Sequence, residues 1–438
     1  MELLALAMFP ALLILIFIGL PVAFALMLTG IGFGFFTFGT NLVHLLTDKV
    51  NEVAGNFILA AVPLFIFMGC MLERSRIAEQ LFEAMHMWTK RLPGGLAIGT
   101  VLMSLVFAAT TGVIGAAETV IGLLAIPPML KHKYNKQLIS GTICAGGSLG
   151  TITPPSVVAV VIASLANVSV GELFVAIIIP GLLLAGSYVL YILVICSIKP
   201  EYGPRVPPSP DDPSLGERLR FTLYALVPPL IMVTAVLGSL IMGLAAPTEA
   251  AALGALCSFF LTIFYRRFTF KILYDSLLTT LRITSMILLI LLGGNMFAGV
   301  FTGAGGLSLI QNLVDTLDFG KWALLFLALG LTFFVAFFLE WASVTLIFIP
   351  IFAPLMQAAG IDVIWFCVLF MVMLQTGYLT PPLALAIFYL RGISPPEITL
   401  MDMYKGVIPF VFLQLGIAGL IIAFPEIALW LPNKLLGR

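Results

Sequence analysis

Charge is scarce in this sequence. Of its 438 residues, 10% are charged and 61% hydrophobic, where a soluble domain has about 25% and about 45–50%. So few charges exclude a water-soluble protein of this size, whose surface they would not cover. Histidine is rarer still. His44, His86 and His132 fall in loops or an amphipathic stretch and form no ligand cluster, which argues against a transition-metal site. Cys70, Cys144, Cys196, Cys257 and Cys367 sit in apolar runs without metal-like spacing and read as buried thiols. No GxxxxGKS/T loop occurs, so nothing supports ATP-driven transport by this chain. No Ser/His/Asp grouping suggests an intramembrane hydrolase, and the chain reads as no enzyme. Acidic and basic residues number 21 each, leaving no excess charge to favour nucleic acid. The first apolar run lacks a basic segment before it, so a cleaved signal peptide is not expected.

Long apolar runs are what the sequence has instead. Residues 170–198, 221–243, 274–301 and 403–423 are each long enough to cross a hydrocarbon layer of roughly 30 Å. In lipid such runs must be helical, because every backbone N–H and C=O needs an internal partner. Residues 3–39 are apolar with a break at Gly19-Leu20-Pro21, giving one long tilted helix or two short ones, and a polar stretch follows at 41–57. Between Glu73 and Arg91, apolar Ile77, Leu81, Met85 and Trp88 recur at helical spacing among charges, which predicts an amphipathic helix at the interface. Residues 199–220, rich in proline and mixed charge, read as an exposed linker between two halves. The expected divisions are N-terminal scaffold helices (1–72), an interfacial arm (73–91), a first transport repeat (92–168), scaffold helices with the linker (169–304), a second arm (305–320), a second transport repeat (321–392), and a C-terminal helix and tail (393–438).

The halves repeat. Gly150-Thr151-Ile152-Thr153-Pro154-Pro155 matches Gly377-Tyr378-Leu379-Thr380-Pro381-Pro382, and the offset, 377 minus 150, is 227. The same offset joins Pro127 to Pro354 and Met129 to Met356, and carries the break at Thr111–Gly115 onto Phe338–Ala342. Matching loops differ in charge. Lys131-His132-Lys133-Tyr134-Asn135-Lys136 is basic, whereas Gln357-Ala358-Ala359-Gly360-Ile361-Asp362 has no Lys or Arg. Basic residues mark cytoplasmic loops, so the repeats are expected upside down relative to each other. With 131–136 in the cytoplasm, the linker and Arg266, Arg267 and Lys271 fall there too. Residues 94–130 and 322–356 then become re-entrant hairpins from opposite faces. Lys434 and Arg438 fall outside, against the charge rule.

Proline cannot donate to the carbonyl four residues before it. Pro154 and Pro155 are expected to free the carbonyls of Gly150 and Thr151, and Pro381 and Pro382 those of Gly377 and Tyr378. Free carbonyls at membrane depth are tolerated where they line a cavity or meet an ion. Paired broken helices in inverted halves point to a substrate and cation site near the midplane; a simple proline kink in each helix is the plainer reading. Three acids, Glu118, Glu249 and Glu340, lie in apolar stretches, where an ionisable side chain is a functional candidate by default. Glu118 and Glu340 sit near the hairpin tips. Glu249 follows Pro247-Thr248, where a helix N-terminus would satisfy it. Arg282 is expected to snorkel or pair, and Arg391 to mark a cytoplasmic helix end, with a carboxylate-binding role as the alternative.

Several of these motifs resemble one family. Gly115–Pro128, Lys133-Tyr134-Asn135, Gly146–Ser156, Ser169–Phe174, Ile179-Pro180-Gly181, Pro247–Ala251 and Leu379–Pro382 resemble the large membrane subunit of TRAP (tripartite ATP-independent periplasmic) transporters over nearly the whole chain. Gln375-Thr376-Gly377 and Phe388–Gly392 look like its mannitol/chloroaromatic branch, whose members are associated with 2-oxo acids and related carboxylates. The resemblance implies an all-α, elevator-type, sodium-driven importer of the bacterial inner membrane. Two re-entrant hairpins and two broken helices would form a mobile transport unit on a scaffold. It also implies a periplasmic binding protein that delivers substrate and a separate small membrane subunit of about four helices. The hairpin tips depart from the family's Ser/Gly-rich pattern with an Asp: the first has Thr110, Thr111 and Glu118, the second Phe338, Glu340 and Trp341.

The expectation is sodium-coupled uptake of a small organic acid. Sodium is expected at Gly150, Thr153, Pro155, Gly377, Thr380 and Pro382, with Thr110, Thr111, Gly115, Glu340 and Ser343 opposite. The substrate pocket is expected at Thr151, Pro154, Ser156, Gln375 and Tyr378. A carrier of the same fold that works without a binding protein is the nearest alternative. An ion channel is less favoured, since no ring of repeated acids or carbonyl filters is visible.

Overall fold

The computed structural model describes residues 2–111, 116–207, 213–316, 320–382 and 384–437. Its elements are α1 (Glu2–Phe17), α2 (Val22–Phe38), α3 (Leu42–Ala54), α4 (Ala61–Glu73), α5 (Ile77–Thr89), α6 (Gly95–Thr111), α7 (Ala116–Lys131), α8 (Lys136–Ser148), α9 (Val157–Ala166) and α10 (Val170–Ile198). The second half continues with α11 (Leu215–Ile241), α12 (Pro247–Phe264), α13 (Phe270–Gly303), α14 (Gly306–Thr316), α15 (Lys321–Val335), α16 (Trp341–Ala358), α17 (Val363–Leu379), α18 (Leu385–Ile393), α19 (Leu400–Ala423) and α20 (Glu426–Leu436). Among the described residues no strand forms, as an apolar solvent requires of an open chain. With the continuous stretch α2–α3 (Val22–Ala54) taken as one, seven of the described helices are long and apolar enough to span a membrane.

Two ends of the molecule are distinguishable. At one, three loops are knitted together: Gly94 N–H donates to Gly203 O (2.9 Å), Asn135 N–H to Tyr202 O (3.0 Å) and Val206 N–H to Lys90 O (3.0 Å). The Tyr134 hydroxyl accepts Leu96 N–H there (3.2 Å); burial pushes this phenol up to about 12, and the Leu96 bond offsets part of the rise. This end gathers the basic loops, which marks it as cytoplasmic. At the other end Asn56 Nδ2 donates to Ser164 Oγ (2.8 Å), and Lys321, Asp362, Trp365 and Pro425 share one cavity. Helix α10, 29 residues and about 43 Å long, runs from one end to the other. The hairpin α6–α7 therefore starts and finishes at the basic end, and the hairpin α15–α16 at the opposite end. The repeats are inverted. They also interlock, because α7 packs on α18 and α16 on α9.

Helices α2, α3, α4, α11, α12 and α13 pack side by side as a scaffold, with α5 braced on α6 and α11. The arm turns by 62° between α4 and α5 and starts at Ile77 rather than at 73. Its buried face is Ile77, Ala78, Leu81 and Ala84. Residues 3–39 are two helices, α1 and α2, packed on each other. Residues 42–54, expected to be a polar stretch, are helical instead. Leu42, Leu45, Leu46 and Val53 give α3 an apolar face that lies on α13; Asp48 and Glu52 are exposed, while the Lys49 stem lies on α13 at Gly299. Helix α10 and helix α19, placed by the sequence outside the transport repeats, lie against the broken helices α8 and α17. The α8–α19 crossing is close because both helices have glycine there. A Cβ at Gly141 would overlap Gly406 O and stand 2.7 Å from Gly406 C and from a Phe410 ring carbon. Glu249 satisfies a helix start, as expected: its Oε2 accepts Ala246 N–H (2.8 Å).

Candidate functional site

Both proline-bearing helices are broken. Helix α8 ends at Ser148, passes through a 3-10 turn at 149–151, and resumes as α9 at Val157. Within this break Ile152 N–H and Thr153 N–H both donate to Leu149 O (3.1 and 2.9 Å), and Ser156 Oγ donates to Thr151 O (2.8 Å). The Thr151 carbonyl is thus partnered, whereas no described residue donates to those of Gly150, Thr153 or Pro155. The second break lies later than its repeat predicts. Helix α17 continues to Leu379, so Gly377 and Tyr378 remain helical, and Thr380 N–H donates to Gly377 O (3.2 Å). Here Thr380 Oγ1 donates to Thr376 O (2.8 Å), and the carbonyls of Thr380 and Pro382 have no described donor. Pro154 and Pro155 are buried in the first break, while Pro381 and Pro382 are exposed in the second.

The two repeats meet at a buried polar cluster. Gln375 Nε2 donates to Ser148 Oγ at 3.1 Å across a separation of 227 residues, the repeat offset itself. Equivalent positions therefore touch, which places them on the pseudo-twofold axis relating the repeats. The other end of the same amide accepts from Thr151 Oγ1 (3.1 Å). From the flanking helices, Gln414 Nε2 donates to Tyr188 Oη (2.8 Å) and Ser148 Oγ (3.4 Å). Ser148, Thr151, Tyr188, Gln375 and Gln414 are all fully buried. Of the residues expected to line a substrate pocket, Thr151, Ser156 and Gln375 thus bond internally.

Tyr378 does reach a cavity. It shares a space of about 150 Å³ with Glu340, Trp341, Ala342 and Tyr389, with Val157 and Val158 of α9, and with Leu385 of α18. Ile66 of α4 and Ile283, Met286 and Ile287 of α13 close it with an apolar scaffold wall. Three helices, α9, α16 and α18, begin at this one cavity. None of the three has a side-chain cap, although Ser156 and Glu340 stand at the cap positions of α9 and α16. Elsewhere Asn135, Ser169, Ser214, Thr269, Asp362 and Thr399 do cap the helices they precede. Uncapped N–H groups and the positive ends of three helix dipoles converge here, which suits an anion. Glu118 and Glu340 both lie near enough to Tyr378 and Tyr389 to act on them electrostatically. Glu118, in the first turn of α7, is buried against α8 at Gly147. Ser343 Oγ is buried in α16 without a hydrogen-bond partner among the described residues.

Gly115 and the side chains of Thr110 and Thr111 lie outside the described residues. Arg391 is exposed and donates through Nη1 to Ile398 O (2.8 Å). A second, larger cavity of about 1230 Å³ opens toward the end opposite the basic loops, between α3 and α13 on one side and the ends of α9, α16 and α17 on the other. Sequence reasoning had no signal for it beyond the amide-rich run Asn51 to Asn56.

Residues 9–427 match the model of the DctM family, described as the DctM component of the tripartite ATP-independent periplasmic transporter. The chain belongs to the DctM family. This DctM protein is the large membrane subunit of a TRAP transporter, a multi-pass protein of the bacterial inner membrane and not an enzyme. It is 31% identical over 399 residues, 91% of either chain, to the C4-dicarboxylate TRAP transporter large permease protein DctM of Pseudomonas aeruginosa. It is 28% identical over 424 residues, 97% of either chain, to the sialic acid TRAP transporter large permease protein SiaM of Vibrio cholerae. Its fold is similar to that of the Alcanivorax borkumensis YdaH transporter, with a TM-score of 0.58 at 18% identity over 88% of each chain.

Proposed function

We propose that this DctM protein takes up a small organic acid together with sodium, by an elevator movement of its hairpins and broken helices along the scaffold. The observation that carries this reading is the cavity where three uncapped helix N-termini meet an apolar scaffold wall. Backbone N–H groups and helix dipoles hold a carboxylate without a fixed cation, so the site needs no Lys or Arg to bind one. The substrate class follows from this chemistry together with the similarity to permeases named for a C4-dicarboxylate and for sialic acid, both of them carboxylates. A 2-oxo acid fits the same chemistry.

Sodium enters the reading through Glu340 and the bare carbonyls. Oxygen donors suit hard cations, and Gly150, Thr153, Pro155, Thr380 and Pro382 offer carbonyls with no described donor. Glu340 shares the substrate cavity. An ionised Glu340 repels an incoming carboxylate, and a sodium ion beside it removes that repulsion. Binding of the two cargoes is then mutually favourable, as coupled transport requires. The wall that α4 and α13 present to the cavity, Ile66, Ile283, Met286 and Ile287, is apolar, and the Asn56–Ser164 bond at the outer end is one that a sliding unit would exchange. A periplasmic binding protein delivering the acid and a small membrane subunit bracing the scaffold complete the transporter in this reading.

The test is uptake into proteoliposomes holding the complex, with loaded binding protein outside. Uptake should need an inward sodium gradient and the binding protein. Uptake indifferent to sodium would refute the coupling, and uptake of free acid at the same rate without the receptor would favour a carrier that works alone.

A further inference from the structure

Helix α13 is the wall along which the transport unit would travel. Beside the small cavity it presents Ile283, Met286 and Ile287. Toward the end opposite the basic loops it presents Asn295, Gly299 and Thr302 to the large cavity. Asn295 follows Ile287 by eight residues, about 12 Å of helix. At that level α3 crosses α13. Asn295 Nδ2 donates to Lys49 O (3.1 Å), and the Lys49 stem lies across Gly299, where a Cβ would stand 2.9–3.1 Å from three of its carbons. Packing thus directs the ammonium group into the large cavity. Among the described residues lining that cavity, Lys49 is the one Lys or Arg; the small cavity's lining has neither. Lys49 Nζ donates to Glu52 Oε2 at 2.7 Å, with the two side chains 29% and 59% exposed. A pair so exposed contributes little in water. A carboxylate arriving from outside can therefore take the place of the Glu52 carboxylate.

We propose that Lys49 is a substrate contact of the outer position only: when the transport unit rises by about 12 Å into the large cavity, its site faces Asn295 and Lys49 instead of Ile287. The carboxylate then gains a charge-assisted hydrogen bond outside and loses it on descent, where the wall is apolar. Capture at the outer face and release at the inner face would follow from one lysine fixed in the scaffold. The proposal rests on the elevator reading above, and the experiment separates the two.

In a chain with its five cysteines replaced, Ala342→Cys is paired either with Ile287→Cys or with Asn295→Cys and treated with mercuric ion. Both pairs should cross-link, the first in the position described here and the second in the outer one. Cross-linking of the Ile287 pair with none for the Asn295 pair refutes the movement itself, and the proposal with it. Lys49→Gln is then compared in right-side-out and inside-out vesicles. KM for uptake from the outside should rise roughly tenfold, KM from the inside should stay unchanged, and Lys49→Arg should restore most of the loss. If the Asn295 pair cross-links but Lys49→Gln leaves the outside KM unchanged, or raises both KM values equally, the role of Lys49 is refuted while the elevator reading stands.

Discussion

Replacing Gly377 with alanine tests how closely the second hairpin must approach its broken helix. A Cβ at Gly377 would overlap the Cβ of Ala336 and stand 3.1 Å from that residue's carbonyl carbon and oxygen. Carbon atoms rest at about 3.5–4.0 Å, so the hairpin tip must retreat by about an ångström. Backbone is involved, and side-chain rotation alone cannot relieve the overlap. Overpacking of this kind costs about 1–3 kcal/mol. The tip runs from Ala336 directly to Glu340 and the start of α16, and it carries no regular structure of its own. It is therefore the part that yields, and Glu340 moves with it. If the whole cost falls on binding, KM in the reconstituted complex rises about 5- to 140-fold, while the melting temperature in detergent falls only slightly. Gly416→Ala is the control, since nothing lies within 4 Å of a Cβ there, and an alanine in mid-helix should be neutral or slightly stabilising. A Gly377→Ala protein with the control's KM would refute the reasoning.

Three further outcomes follow from the same contacts. Gln375→Leu removes one hydrogen bond from each of Ser148 Oγ and Thr151 Oγ1, which keep their backbone acceptors Ala145 O and Ser148 O, and thermal unfolding should show a loss of about 1–3 kcal/mol; an unchanged melting temperature would mean the cluster is idle. Glu340→Gln should raise the sodium concentration for half-maximal uptake about tenfold, as loss of one charged ligand predicts, which a sodium titration of uptake reads directly. Gly141→Ala forces α8 and α19 apart against the Gly406 backbone and should lower the melting temperature more than Gly377→Ala does, as seen in a side-by-side melt.

Much of this architecture was legible because lipid leaves the chain few choices. The 227-residue offset, the two proline breaks, the hairpins and the proline-rich linker could all be read from sequence, and basic loops gave the inversion before any coordinates did. What was hidden depends on who packs against whom. Helix α3 was missed because its four core-facing apolar residues are interleaved with Lys49, Glu52 and Asp48, so it reads as polar until α13 is beside it. Gly377 was expected to bare its carbonyl, but α17 runs four residues past the position that matches the end of α8, and Thr380 fills that acceptor. Thr151, Ser156 and Gln375 looked like pocket residues because they are polar at membrane depth. Buried polar groups must be partnered, and these found partners in one another or in the backbone. Tyr378 was expected in the pocket, but the helix starts around it were not: Ser156 is a cap-type residue, yet its hydroxyl turns back to Thr151 O and neither it nor Glu340 caps its helix.

The central claim is that a carboxylate sits where α9, α16 and α18 begin. The most direct measurement is an electron cryo-microscopy map of the complex in lipid nanodiscs with sodium and the acid supplied by the binding protein. Ligand density against the first amides of those three helices and beside Tyr378 is the predicted result. Density seated instead at the Ser148–Gln375 cluster or at Arg391, with the Tyr378 cavity empty, would contradict it.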